Sequence, residues 1–449
     1  MFRKWTFPGG IHPPYNKKAT QDLPIKKYPL PEKVVIPTVM HMGTPAKVIV
    51  KNGDKVAKGQ VVAEAGGFVS SPVFSSVSGV VSNIGMFPHA SGKSIAAVEI
   101  TADGKDDEFR FEPIKNYREK ASEVLVKRIS DCGIVGMGGA GFPAQVKLSP
   151  PSDKKIDSLI INAAECEPYL TTDHRVMLEM TNKLLSGTRI LQRILDVRNV
   201  YIAIEKNKPD AIALLSKRVK EDNLLKGIKI IPLETKYPQG GEKQLINAVL
   251  GREIPLGKLT MDAGCVVQNV ASAVATHDAV VNGIPLTERV LTITGKAVKD
   301  CGNYFAPIGT SVREMLEYCE TDFSKVKKVI MGGPMMGLSL ANIDVPIMKN
   351  TSGILVLSET TAGDNENNCI NCGACVEACT IHLVPSLLAK YSERNKFEDA
   401  QNRNIMECME CGCCTYICPS KINILHKIRF AKNHIIRQRA AKSQKEGNK

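Results

Sequence analysis

No stretch of about 18 residues runs apolar without interruption, the length a helix needs to cross a bilayer. The nearest approach, Val329 to Met348, is broken by glycines, Pro334 and Asp344 and reads as a turn-rich core segment, so any membrane the protein serves should lie beside it. The first ten residues, Met-Phe-Arg-Lys-Trp-Thr-Phe-Pro-Gly-Gly, are basic but lack the apolar core of a secretion signal, and the expected compartment is the cytosol. Aromatic residues are scarce, at 5% with a single tryptophan. Glycine (35) and proline (25) stay near average usage, which excludes collagenous and low-complexity chains. What remains is a globular chain of 449 residues, 43% hydrophobic and 23% charged, long enough for about three domains.

The net charge of +13 is concentrated at one end: from Lys421 onward nine Lys/Arg face Glu446 alone. No zinc-finger, RRM or helix-turn-helix pattern accompanies this basic tail, so no nucleic-acid partner is expected. Ile424, Leu425, Ile428, Ala431 and Ile435 fall on one helical face with Lys/Arg on the other. That pattern predicts a tail, residues 423–449, lying on an anionic membrane surface or an acidic partner, the plain alternative being a solvated end.

Fourteen cysteines in a reducing compartment are poor candidates for disulfides. Eight of them form two runs of identical spacing: Cys369-x2-Cys372-x2-Cys375-x3-Cys379 and Cys408-x2-Cys411-x2-Cys414-x3-Cys418-Pro419. Three thiolates two residues apart wrap one cubane, while the fourth, past a helical turn, reaches the neighbouring cubane. Cys369, Cys372, Cys375 and Cys418 are therefore expected to hold one [4Fe-4S] cluster, and Cys408, Cys411, Cys414 and Cys379 the other. Zinc also uses Cys-x2-Cys pairs, but two complete four-cysteine runs do not suit it. Thr380 stands where proline is expected after the first run. Cys413 reads as a bystander, and Cys132, Cys166, Cys265, Cys301 and Cys319 as small hydrophobes.

Upstream lies Gly136-Met137-Gly138-Gly139-Ala140-Gly141-Phe142-Pro143-Ala144-Gln145-Val146-Lys147. Glycines at this density let backbone N–H groups close on a phosphate or a flat ring, and Lys147 adds a fixed charge. Alone, such a loop is as readily a turn. Three more segments follow in order: Asn162-Ala163-Ala164-Glu165-Cys166-Glu167-Pro168 after an apolar strand, Tyr237-Pro238-Gln239-Gly240-Gly241-Glu242 before a helix, and Val267-Gln268-Asn269-Val270. Together they resemble the flavin- and NADH-binding subunit of respiratory complex I over about residues 120–280. Where that pattern has Arg, Gly and Trp around the glycine loop, this chain has Met137, Gln145 and Leu148, and Ala164 stands where it has an aspartate.

The resemblance implies non-covalent FMN against Gly136, Gly138, Gly139, Gly141, Lys147, Asn162, Glu165, Tyr237, Gly240 and Asn269. It also implies NAD(H) over the flavin near Phe142, Glu167 and Glu242. Hydride would pass between nicotinamide and FMN, so no acid–base residue is needed, and His277 beside Asp278 and His12 beside two prolines are read as structural.

The flanks narrow the family. Residues 46–101 alternate Val-rich strands with glycine turns in the manner of a lipoyl/biotinyl barrel, with no acceptor lysine between Lys58 and Lys93. Residues 288–348, around a helix at Val312 to Cys319, resemble a β-grasp (SLBB) module. In this order the whole chain resembles the C subunits of Rnf ion-translocating electron-transport complexes. The expected architecture is α/β and multidomain: a barrel-sandwich domain (1–115), an FMN/NADH domain (120–280), a β-grasp domain (285–355) and an α-helical two-cluster ferredoxin-like domain (360–422) before the tail. The resemblance implies a peripheral protein on the cytoplasmic side of the bacterial inner membrane. Its partners would be an iron–sulfur subunit, membrane-spanning subunits and, indirectly, ferredoxin. A soluble flavin and iron–sulfur cobalamin reductase of the same architecture, or a flavin-less electron carrier, are the competing readings.

Overall fold

A computed structural model describes residues 5–359 and 366–447, the side chains of 443–447 excepted. The boundary expected at 360 and the side chains of Lys445, Glu446 and Lys449 lie outside what is described.

The Val-rich alternation near the start makes two small antiparallel sheets. One orders the strands Lys33–Pro37, Ser94–Ala102, Gly79–Pro88 and Lys55–Val56; the other joins Lys47–Val48, Val61–Glu64 and Val73–Phe74. Alternate residues (Val34, Ile36, Val62, Val73, Val98, Ile100) are buried in a common core, as the two-residue period of a strand requires. Residues 5–27, expected inside this barrel, do not join its sheets. They run as a strap over the rest of the molecule, ending in the strand Ile25–Lys27, which pairs in parallel with Gly302–Pro307.

The next unit carries four parallel strands, Ser158–Ala163, Asn199–Glu205, Ile228–Leu233 and Cys265–Asn269, in the spatial order third, second, first, fourth. They read as near-continuous apolar runs because helices cover both faces. The connections carry the helices Thr172–Glu179, Thr181–Leu195, Pro209–Glu221 and Glu242–Leu250, and Val270–Val281 follows the fourth strand. One glycine sets the packing: a Cβ at Gly187 would stand 1.8 Å from the Ala273 carbonyl oxygen, so two helices meet there backbone to backbone. The strand order reverses between the first and fourth strands, which opens a crevice at their carboxyl ends.

A third unit pairs Glu288–Gly295 antiparallel with Gly302–Pro307 and parallel with Gly353–Leu357, which in turn pairs antiparallel with Lys328–Met331; the helix Val312–Tyr318 connects the two halves. Lys349 of this unit is buried. Its ammonium donates to Ser71 Oγ (3.1 Å) and the Pro72 carbonyl (2.6 Å) of the barrel, and to the Gly133 carbonyl (2.8 Å) ahead of the glycine loop.

The last unit is helical: Ala374–Glu377, Pro385–Glu393, Phe397–Asn402, Cys413–Ile417 and the long Ile424–Gly447. Here the reading of the tail needs correction. Ile424, Ile428, Ala431 and Ile435 bury against Leu383, Leu388, Ala400 and Ile405, and Leu425 lines a cavity of the same unit. Three of the cations are engaged at home as well. Arg429 and Lys432 pair with Glu410 (2.8 and 2.7 Å), and Lys427 with Glu366 and Glu393 (2.6 and 2.7 Å). The stripe that would have faced a membrane is the wall of the cluster domain, because the nearest apolar surface and the nearest acids belong to the same chain. Among the described residues no helix is long and apolar enough to cross a membrane.

Candidate flavin and iron–sulfur site

Nearly every residue singled out upstream lies at the carboxyl edge of the parallel sheet. Asn162, next to last in the first strand, and Asn269, last in the fourth, are register partners across the crevice. Asn162 Nδ2 donates to the Gly240 carbonyl (2.8 Å), which draws in the loop after the third strand. Asn269 caps the helix that follows it, its Oδ1 accepting from the Ala271 N–H (2.8 Å), while its Nδ2 donates to Asp173 Oδ2 (2.7 Å). Desolvation of its carboxyl raises the Asp173 pKa against the opposing effects of the Asn269 hydrogen bond and the Arg289 charge.

Over this edge lies the glycine loop, closed as a hairpin by the Gly136 N–H donating to the Phe142 carbonyl (2.8 Å). Three neighbours hold it. Met137 N–H donates to Ser272 Oγ (2.9 Å), Asn350 Nδ2 to the Gly139 carbonyl (2.9 Å), and the Met42 N–H of the barrel to the Gly141 carbonyl (3.1 Å). A Cβ at Gly138 would stand 2.7 Å from Asn269 Nδ2, so glycine is required for the loop to approach the crevice. Gly138 and Gly139 present exposed backbone, and nothing lies within 4 Å of a Cβ built on Gly139. Lys147, at the end of the short helix Ala144–Lys147, forms an ion pair with Glu242. Backbone approachable from one side, a lysine at its end and two asparagines below are the donor set that a phosphorylated flavin needs. Gln239, wholly buried beside Gly240, has neither side-chain amide atom hydrogen-bonded to another protein group.

Two acids of the set are engaged elsewhere. Glu165 receives the Asp173 N–H (2.6 Å) and so caps the helix Thr172–Glu179. Glu167 accepts the N–H groups of Met335 and Met336 (3.0 and 2.8 Å) from the third unit, and burial pushes its carboxyl up to about 7.

Tyr237 is the junction with the cluster domain. Buried to 1%, it donates its hydroxyl to the Cys411 carbonyl (2.8 Å), while its backbone exchanges hydrogen bonds with Ile11 of the strap (2.9 Å each way). Cys379, Cys408, Cys411 and Cys414 line one cavity with Thr380, Met409 and Cys413. The fourth cysteine of the first run thus joins three of the second, and four thiols around one hollow suit a cubane. Among the described residues no three or more His, Cys, Asp or Glu side chains converge closely enough to hold a single ion. Of the other four, Cys372 is exposed and Cys375 buried. Thr380, where proline was expected, accepts from Gln244 Nε2 (2.8 Å) and ties the cluster loop to the helix Glu242–Leu250. Cys166, read as a small hydrophobe, accepts from the Gly240 N–H (3.2 Å) inside the site.

Sequence reasoning missed Lys17, Asp173 and Arg289. Nothing in their local pattern sets them apart from surface polar residues; only the fold brings them to the crevice.

With this geometry in hand, comparison with known proteins is specific. Residues 129–278 match the Nuo51 FMN-binding domain, residues 5–105 the RnfC barrel sandwich hybrid domain, and residues 368–422 a 4Fe-4S dicluster domain. The C subunit of the proton-translocating ferredoxin:NAD(+) oxidoreductase complex of Clostridium ljungdahlii is 44% identical over 431 residues, covering 95% of this chain and 93% of the relative. The C subunit of the Na(+)-translocating complex of Acetobacterium woodii is 44% identical over 436 residues, 97% and 98% of the two chains. Among solved structures, the NAD+-reducing [NiFe]-hydrogenase in its H2-reduced state shares the fold over 70% of this chain and 62% of its own, with TM-score 0.52 and 17% identity. The chain belongs to the RnfC family, the C subunits of Rnf-type ion-translocating ferredoxin:NAD(+) oxidoreductase complexes.

Proposed function

We propose that this protein is the NAD(H)-binding flavin and iron–sulfur subunit of a membrane-associated ferredoxin:NAD(+) oxidoreductase, working with membrane-spanning partner subunits that move Na+ or H+. The observation that carries this reading is the junction at Tyr237, whose buried side chain, three residues before Gly240 of the flavin domain, donates its hydroxyl to the carbonyl of Cys411 in the wall of the cysteine-lined cavity. The relatives named for protons and for sodium are equally similar to this chain, so identity does not choose the ion.

In this reading FMN lies in the crevice between the glycine hairpin and the two asparagines, with Lys147 beside it. Bound FMN supplies hydride exchange with nicotinamide and one-electron exchange with the clusters. The protein's own residues hold and orient: Asn162 fixes the Gly240 loop, Asn269 and Asp173 fix the floor, and the barrel and third unit clamp the hairpin. NAD(H) enters on the open face near Phe142. Two [4Fe-4S] clusters follow the crossed ligand sets. The one held by Cys379, Cys408, Cys411 and Cys414 adjoins the flavin loop, and the one held by Cys369, Cys372, Cys375 and Cys418 faces outward, where Cys372 and Ile370 are exposed. The third unit, with its hairpin first, its helix between and its first and last strands parallel at the centre, is best read as a β-grasp module. The expected station is peripheral, on the cytoplasmic side of the membrane.

An anaerobic absorbance spectrum of the purified chain, before and after NADH, tests the proposal. Flavin and iron–sulfur bands that both bleach support it. A protein that takes up no added FMN would return it to the flavin-less carrier reading, and one whose bound FMN is inert to NADH would overturn the nicotinamide part of the proposal.

A further inference from the structure

The loop between the first strand and its helix, Glu165 to Leu170, contains two non-glycine residues in the left-handed region, Glu165 (φ 49°) and Tyr169 (φ 69°). Such a backbone persists only where its surroundings hold it. Its carbonyl groups turn inward onto buried lysines. Lys208 Nζ donates to the Ala164 carbonyl (2.7 Å). Lys17 Nζ donates to the carbonyls of Glu165 (2.8 Å), Glu167 (3.0 Å) and Leu170 (2.5 Å), and stands 3.8 Å from the Glu165 carboxylate. An ammonium has three N–H groups, and here each meets one carbonyl of the same loop. Lys17 comes from outside the flavin domain, on the strap whose Gly10 N–H donates to the Ala378 carbonyl next to Cys379 (3.0 Å) and whose Tyr15 carbonyl accepts the Tyr169 N–H (2.8 Å).

We propose that Lys17 is a positioning residue of the nicotinamide site: by gathering three carbonyls it fixes the loop whose Glu165 carboxylate caps the helix Thr172–Glu179 and whose Glu167 carboxylate is seated on the Met335 and Met336 N–H groups, and so sets the edge of the crevice over which NADH is held. The proposal rests on the flavin and nicotinamide reading above. Lys17 touches neither ligand in this account and acts through the loop alone. A guanidinium, planar and forked, cannot aim three N–H groups at three carbonyls converging on one point, so charge without that geometry is not enough.

The test uses the full-length protein with its clusters, FMN titration followed by flavin fluorescence, and anaerobic stopped-flow bleaching of the flavin band over a range of NADH concentrations. In Lys17→Met the cluster absorbance should persist and the FMN dissociation constant should stay within about threefold. The NADH concentration for half-maximal bleaching should rise by about tenfold or more, with the limiting rate changed far less. A wild-type NADH dependence in Lys17→Met would overturn the proposal. If Lys17→Met does not fold, Lys17→Arg decides: a raised half-saturating NADH concentration supports the positional role, and wild-type behaviour overturns it. Failure of the underlying reading is seen separately, as wild-type protein that binds no FMN or is not bleached by NADH.

Discussion

Lys147 and Glu242, 95 residues apart in the chain, close on each other as an ion pair at the mouth of the crevice, the lysine mostly buried and the glutamate half exposed. Read separately, one charge belonged to the flavin and the other to nicotinamide; as neighbours they cannot be independent.

Lys147→Ala should therefore weaken FMN binding by about tenfold or more, the scale of one charge-assisted hydrogen bond. Glu242→Gln removes the carboxylate that competes for Lys147 and should leave FMN affinity equal or higher, while slowing bleaching by NADH. The double variant should depart from additivity, since the residues touch. Fluorescence titration with FMN measures all three.

Glu167 gives a pH signature. Its carboxyl is raised to about 7 from 4.5, so between those values the folded protein binds more protons than the unfolded one. Stability should then fall as pH rises through this window, by at most about 3 kcal/mol. Glu167→Gln should flatten that part of the profile. Denaturant midpoints at pH 5, 6, 7 and 8 for both proteins are the measurement; parallel profiles would exclude the effect.

The long C-terminal helix should behave as core along one face only. Ile428→Asp places a charge at a site 1% exposed and should cost about 3 kcal/mol or more, with loss of bound iron. Ile436→Ser, at a side chain 49% exposed, should stay within about 0.5 kcal/mol. Deleting residues 424–447 should likewise strip the clusters. Iron and sulfide content after gel filtration distinguishes these outcomes.

Crossed ligation makes a reciprocal prediction. Cys418→Ala should damage the cluster begun at Cys369, and Cys379→Ala the one begun at Cys408, each variant keeping about half of the iron. The surviving signals, compared by electron paramagnetic resonance after dithionite reduction, should differ between the two variants. Identical survivors would mean that each run binds its own cluster.

The cysteine runs, the glycine loop and the apolar strands were legible in the sequence because each is a local pattern whose spacing carries the chemistry. Asn162 and Asn269 came with the resemblance to the complex I subunit, and the structure sets them opposite each other at the carboxyl ends of adjacent strands. The strap was not legible, since residues 5–27 have no period and their partners lie far along the chain. Lys17 looked like any surface lysine until the fold set three carbonyls opposite it. The tail shows the converse: its stripe was read correctly as one apolar face, but a stripe does not say what it meets. Glu165 and Glu167 were picked out as acids near a ligand loop, whereas the structure engages them with a helix terminus and with the turn at Met335 and Met336.

Lys349 bears on how this molecule comes apart. Its three acceptors belong to two other units, Ser71 and Pro72 on one side and Gly133 on the other, and even the space is committed, since a Cβ at Gly133 would stand 2.7 Å from Lys349 Nζ. Cutting the chain near 280 would leave the Gly133 carbonyl without its donor, and removing the barrel would leave a buried ammonium with one acceptor. Units that succeed one another as separate families in the sequence are thus interlocked at one atom. Heating should melt the barrel, flavin and third units in one calorimetric transition, and a donor barrel spliced from elsewhere would have to bring its own pair of acceptors to that nitrogen.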